Sequence, residues 1–177
     1  MAELLAIGVD GCRGGWVAVS CYAASPAEGL RRTRVKLGAT FEDVIALRAD
    51  RHVPVAVDIP MGLLDSVDYR PCDRQAQELL GHRRSTVFAP PSRPLLALES
   101  YADARAHVEE LKKTNPSEKS LSSYAWGLVR KIKEADDWLR AHPRAQAWLF
   151  ECHPELSFRG NRRWSRSGGQ EDDPRSG

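Results

Sequence analysis

A chain of 177 residues and 19.7 kDa is the size of one ordinary domain, so a second full domain is not expected. With 42% hydrophobic and 28% charged residues and a mean hydropathy of -0.46, the composition lies in the globular range and argues against wholesale disorder, fibrous and coiled-coil classes. The formal charge of +2 is too small to predict a polyanion partner from bulk electrostatics.

The first apolar run, Leu4 to Asp10, stops at a Gly-x-Asp-Gly turn, as a buried strand does. Gly14 and Gly15 then supply turn geometry before Trp16 to Tyr22, a run of strand formers, so the two segments predict a hairpin. Thr33 to Leu37 alternates Val35 and Leu37 with basic residues, as an exposed third strand would. Phe41 to Leu47 puts Phe41, Val44 and Ile45 on one helical face, with Thr40 as N-cap and Asp43 to reinforce it. Val53 to Val57 predicts a fourth strand that ends at Asp58, after which Pro60 turns the chain out of the sheet. Helices are predicted over Cys72 to Leu80, closed by Gly81, over Ser100 to Lys112 and over Ser122 to Arg140, with a polar break at Thr114 to Ser120. Ala145 to Phe150 predicts a fifth strand, ending at Glu151.

Hairpins first and helical crossovers later predict an α/β fold with a mixed sheet flanked by helices. Right-handed crossovers set the fourth strand parallel to the first and the fifth parallel to the fourth. Asp10, Asp58 and Glu151 then emerge at one sheet edge, the usual place for a site in an open α/β sheet. Any one of these acids could be a simple turn former. Three together repel one another and lose solvation, which calls for a cation. Hard oxygen donors without nearby Cys or His pairs suit Mg²⁺ or Mn²⁺, and two such ions can drive phosphodiester hydrolysis.

The glycine-rich stretch Gly11 to Gly15 could cradle an anion, but it lacks the Lys-Ser or Lys-Thr of a P-loop, and a hairpin turn is its favoured role. Arg13, two residues past a candidate metal ligand, could hold a phosphate or a carboxylate. Arg70 to Ser85 is dense in hydrogen-bonding groups and reads either as a phosphate-gripping surface carrying Arg74 and Arg84 or as a solvated amphipathic helix with a basic end. Arg83 and Arg84 are expected in an irregular loop. Arg130, Lys131 and Lys133 are expected on a solvated face. His153 and Glu155 could serve a proton relay or support Glu151, and a helix cap is the alternative for His153.

Cys12, Cys21, Cys72 and Cys152 form no Cys-x-x-Cys pair, so they read as reduced thiols; Cys152 beside His153 does not make a cysteine hydrolase, because nucleophile and base normally meet through the fold. The N-terminal Met-Ala-Glu-Leu-Leu-Ala-Ile-Gly-Val-Asp has no basic segment and reaches an acid early, which argues against a signal peptide, and no apolar run is long enough to span a membrane. A cytoplasmic location is expected.

Four stretches occur in the order and spacing of a known family: Gly8 to Trp16, Val57 to Leu63, Cys72-Asp73-Arg74 through Phe88, and Glu151-Cys152-His153-Pro154-Glu155 to Phe158. The chain resembles the domain of unknown function 429 family, described as predicted ribonuclease H-like nucleases. The resemblance covers about residue 4 to residue 158 and includes Lys131 to Asp136. It implies a five-stranded sheet of order 3-2-1-4-5. It also implies a metal-dependent nuclease acting on RNA or DNA, with Asp10, Asp58 and Glu151 as catalytic metal ligands and Asp73, Glu134 and Glu155 in reserve for a fourth. Gln77 stands where relatives often carry an arginine. A non-catalytic nucleic-acid- or protein-binding module on the same fold, or a nucleotide-binding domain built on the Gly8 to Gly11 turn, are the alternative readings.

Residues 159–177 depart from the resemblance and read as a disordered tail after a domain of residues 1–158. They carry five arginines and three acids, so the net charge resides there and the domain is neutral. Codons for Gln170 to Asp173, read one nucleotide later, can spell the Lys-Lys-Thr stretch of relatives, which hints at a frameshift.

Overall fold

The computed structural model describes residues 3–23, 32–48 and 52–158. Strands β1 (Glu3–Cys12) and β2 (Gly15–Ala23) form the expected hairpin, turning at Arg13 and Gly14, and β3 (Arg32–Gly38) pairs antiparallel with β2. Gly15 has φ 144, and a Cβ there would lie 2.1 Å from the carbonyl oxygen of Gly38. Only glycine fits between the two strands at that point. Gly15→Ala is therefore expected to lower unfolding stability by about 3 kcal/mol in urea denaturation, through backbone strain and overpacking together.

Helix α1 (Phe41–Ile45) starts with the predicted capping box, the Thr40 hydroxyl accepting from the Asp43 amide and the Asp43 carboxylate accepting from the Thr40 amide. Strand β4 (Val55–Asp58) begins two residues later than the pattern suggested, beyond Pro54, and runs parallel to β1. Helices α2 (Pro71–Leu80) and α3 (Tyr101–Thr114) match the expected segments, and Ser100 caps the second. Arg83 and Arg84, expected in an irregular loop, sit in a 3₁₀ turn over Gly81–Thr86.

The single helix expected over Ser122 to Arg140 is two: α4 (Ser123–Gly127) and α5 (Val129–Ala141). The break falls at Leu128, directly after Gly127, the poorest helix former in the run. Each piece also serves a different core. Ala125 of α4 packs with Val67, Leu95 and Val108, whereas Ile132 and Ala135 of α5 pack on the sheet with Phe41 and Val44. The fifth strand shortens likewise: Pro143–Ala147 forms a 3₁₀ turn, leaving β5 (Leu149–Glu151) parallel to β4.

The sheet order is β3-β2-β1-β4-β5, the order the resemblance implies, in the mixed α/β arrangement expected from hairpins and crossovers. Its side-chain rows follow from the register. Val35, Val19, Gly8, Ala56 and Phe150 make one row across all five strands, and Leu37, Val17, Asp10 and Asp58 make the next row on the same face. The other face carries Val9, Ala18, Trp16, Val57 and Leu149, all buried, and α1 and α5 pack against it. Among the described residues no helix is long and apolar enough to cross a membrane.

Candidate active site

Asp10 and Asp58 end the adjacent parallel strands β1 and β4 and stand directly opposite each other in register. Both are exposed, and among the described residues neither carboxylate has a hydrogen-bond or ion-pair partner. The Asp58 carboxyl is pushed up from its ordinary value of 3.8, first by burial among the surrounding atoms and next by the Asp10 charge; His153 opposes the rise and Glu151 adds to it. Among the described residues no lysine or arginine is ion-paired with either member of the pair.

Glu151 joins the same edge but not the same row. It stands opposite Val57, one position short of Asp58, so pleating sends it toward the other face of the sheet. There Arg70 grips it with two hydrogen bonds of 2.7 Å, and the Met61 amide donates a third at 2.9 Å. Arg70 is 3% exposed and is itself held by Asp73, through Nε at 2.8 Å and Nη2 at 2.6 Å, while Asp73 also accepts from the Arg70 amide at the start of α2. Its Nη1 donates to the Met61 carbonyl as well. Burial disfavours the guanidinium charge, but hydrogen bonds to Asp73 and Glu151 more than offset this and keep Arg70 firmly protonated. The arrangement brings Asp10 and Asp58 together and sets Glu151 beside them as the partner of a buried arginine. Among the described residues no three His, Cys, Asp or Glu side chains group closely enough to hold a metal ion.

A cleft of about 40 Å³ lies between these two parts, with Asp58, Arg70, Glu151, Thr86 and His153 on its walls. The His153 backbone carbonyl accepts from Leu156 and Ser157 in the helical turn that follows, while its side-chain Nδ1 is buried without a hydrogen-bond partner among the described residues and makes no side-chain cap. Glu155 points away: Arg83 donates to it at 2.5 Å and Thr86 at 3.2 Å. Glu134 lies elsewhere, accepting from the Trp16 indole at 2.9 Å and from the Phe41 amide. It ties α5 to β2 and α1, as a group at the amino end of a helix can, and stands apart from the acidic edge.

The arginines separate too. Arg13 is exposed in the β1–β2 turn beside Asp10, and Arg84 is exposed in the 3₁₀ turn beside the cleft, whereas Arg74 spends its charge on Asp68 at 2.8 Å. Lys131, expected on a solvated face, lays its ammonium 4.8 Å from the Trp16 ring centroid, at the strand end that carries Asp10.

Sequence reasoning gave Arg70 no role beyond a polar segment and set Lys131 on a solvated face. Arg70 had a signal: an arginine just before Pro71 at a helix start, with an acid three residues on, is placed to meet its own cap. Lys131 had none, because only the crossing of α5 over β2 brings it to the edge.

Fold and edge together define an α/β protein with a carboxylate pair beyond the carboxyl ends of parallel strands and, beside it, a buried arginine that holds a third carboxylate. The chain belongs to the family described as Protein of unknown function (DUF429), whose model matches residues 8–175. That span runs through much of the segment expected to be a tail, which lies outside the described residues, as does the proposed frameshift. No curated protein and no solved structure matches the chain.

Proposed function

We propose that this protein is a metal-dependent phosphodiesterase of ribonuclease H-like fold that hydrolyses RNA or DNA in the cytoplasm. The in-register pair Asp10 and Asp58 carries this reading, since two carboxylates side by side without a cation partner among the described residues favour a bound cation. Their donor chemistry fits Mg²⁺ or Mn²⁺, which usually take one or two carboxylates and leave their other positions to water and substrate phosphate. Such an ion would supply Lewis-acid polarisation and charge neutralisation at the scissile phosphodiester. Asp10 and Asp58 would hold it. Arg70 keeps Glu151 in one orientation at the rim, and Arg13 and Arg84 offer exposed guanidinium groups for substrate phosphates. His153 places an imidazole on the cleft wall beside Asp58, where it can hold or release a proton. The four free thiols suit a reducing compartment.

The test is incubation with mixed single-stranded, duplex and branched nucleic acids, with and without Mg²⁺. Cleavage that needs Mg²⁺ and stops with EDTA is expected. Metal-insensitive binding without cleavage would overturn the proposal in favour of a binding module. In parallel, Mg²⁺ at ten times its Kd should stabilise the fold by about 1.4 kcal/mol, read as a thermal shift that Asp58→Asn abolishes.

A further inference from the structure

The helices α1 and α5 cover one face of the sheet, and among the described residues nothing covers the other. One row runs Val35, Val19, Gly8, Ala56 and Phe150 and the next Leu37 and Val17 before the acid pair, and the outer apolar members are among the most exposed apolar side chains of the described residues: Leu37 at 70%, Val35 at 68% and Phe150 at 49%. In the middle, Val17, Val19 and Ala56 are only partly buried. A sheet with parallel strands normally has both faces packed.

We infer that this open face pairs with the same face of a second copy of the chain, giving a two-fold dimer of stacked sheets. Three observations select that occupant. The segments outside the described residues have no apolar stripe to lay on it: residues 159–177 contain one apolar side chain, Trp164, and residues 24–31 one large one, Leu30. The rows on this face carry no lysine or arginine, so there is nothing for an acidic partner to pair with, and two copies meet without opposed cations. The only charges in these rows, Asp10 and Asp58, lie at one end. A two-fold axis in the interface plane and across the strands sends the two acid pairs to opposite rims, where both stay open to solvent.

Strand-edge pairing through β3 is the competing geometry for two copies. In an antiparallel self-pair centred on Val35 it would set Arg34 against Lys36 and is disfavoured by like charge. Strand spacing and rise put the open face at about 500 Å² per copy. Two copies would then bury about 1,000 Å², at the lower limit for a specific interface. An interface of that size is a weak, concentration-dependent one.

Sedimentation velocity of the full 177-residue chain from about 1 to 200 μM tests this. A monomer–dimer equilibrium is expected, and Leu37→Glu should weaken it at least tenfold while leaving the far-ultraviolet circular dichroism unchanged, because that side chain already faces solvent. Val35→Glu should act alike, and Glu110→Ala, on the exposed side of α3, should have no effect. A chain that stays monomeric to 200 μM overturns the inference and leaves the face to a different partner. Dimers indifferent to both Leu37→Glu and Val35→Glu overturn it as well, since association would then run through another surface.

Discussion

Arg70→Met is expected to lower unfolding stability by about 3–5 kcal/mol in urea or thermal denaturation, the largest effect of any single substitution considered for this fold. The reason lies in what the substitution leaves behind. Arg70 is almost fully buried between two carboxylates and makes two hydrogen bonds to each. Without it, Asp73 at 5% exposure and Glu151 face each other with no cation between them. The two groups also join distant parts of the chain, since Asp73 opens α2 and Glu151 ends β5. Arg70→Lys should recover less than half of the loss, because an ammonium cannot make the paired, planar contacts of the guanidinium. Glu151→Gln in the Arg70→Met background should restore about 1–2 kcal/mol by removing one of the orphaned charges, a non-additivity that a double-mutant cycle would read directly. An Arg70→Met protein as stable as the wild type would show that the network contributes nothing net.

Asp10→Asn should act in the opposite direction on stability and drastically on activity. If Asp10 and Asp58 hold the catalytic ion, loss of one carboxylate removes several kcal/mol of transition-state stabilisation, about 10³-fold in rate. In the metal-free protein the same change removes a like charge from the facing position. At a separation of about 5 Å and an effective dielectric of 20 the repulsion is roughly 3 kcal/mol, and solvent exposure of both groups reduces the recoverable part to about 0.5–1 kcal/mol.

The pH dependence fixes the sign independently. Because the folded carboxyl of Asp58 titrates above its ordinary 3.8, the unfolded chain releases that proton first as pH rises, so this group's contribution to stability falls from about pH 3.8 up to its raised value. Asp10→Asn removes the second cause of that rise but not the first, burial, so the titration should move down only part of the way, as measured by carboxyl NMR with and without Mg²⁺. Full cleavage activity in Asp10→Asn would remove the proposed mechanism, whatever the stability result.

Much of the architecture was readable from local pattern. The hairpin needed only Gly14, Gly15 and two strand-forming runs, α1 announced itself through Thr40 and Asp43, and the crossovers carry enough handedness to set the strands of Asp10 and Asp58 parallel, while the resemblance made them neighbours. These features depend on interactions within a few residues or on chirality, which a sequence states directly. Where the pattern misled, a longer-range competitor was at work: a long amphipathic run breaks at Leu128, after Gly127, because its two halves pack on separate cores, and Pro143 took the start of β5 into a 3₁₀ turn.

The candidate site divides in the same way. Residue types and strand ends named the three acids, but an alternation of period two cannot be phased between strands until the ladder register is known, and it is the register that puts Glu151 opposite Val57 and Asp58 opposite Asp10. That one-residue offset gave Glu151 to Arg70. Glu134 was drawn away by the indole of Trp16 on another strand, and Glu155 by Arg83. By itself the sequence determined the element types, the strand order through its family resemblance, and the two acids at one sheet edge, because each is encoded in local pattern, chirality or motif. Only the tertiary structure decided which acids share a face, which arginine is buried between carboxylates and which sheet face stays open, because those depend on contacts between residues far apart in the chain.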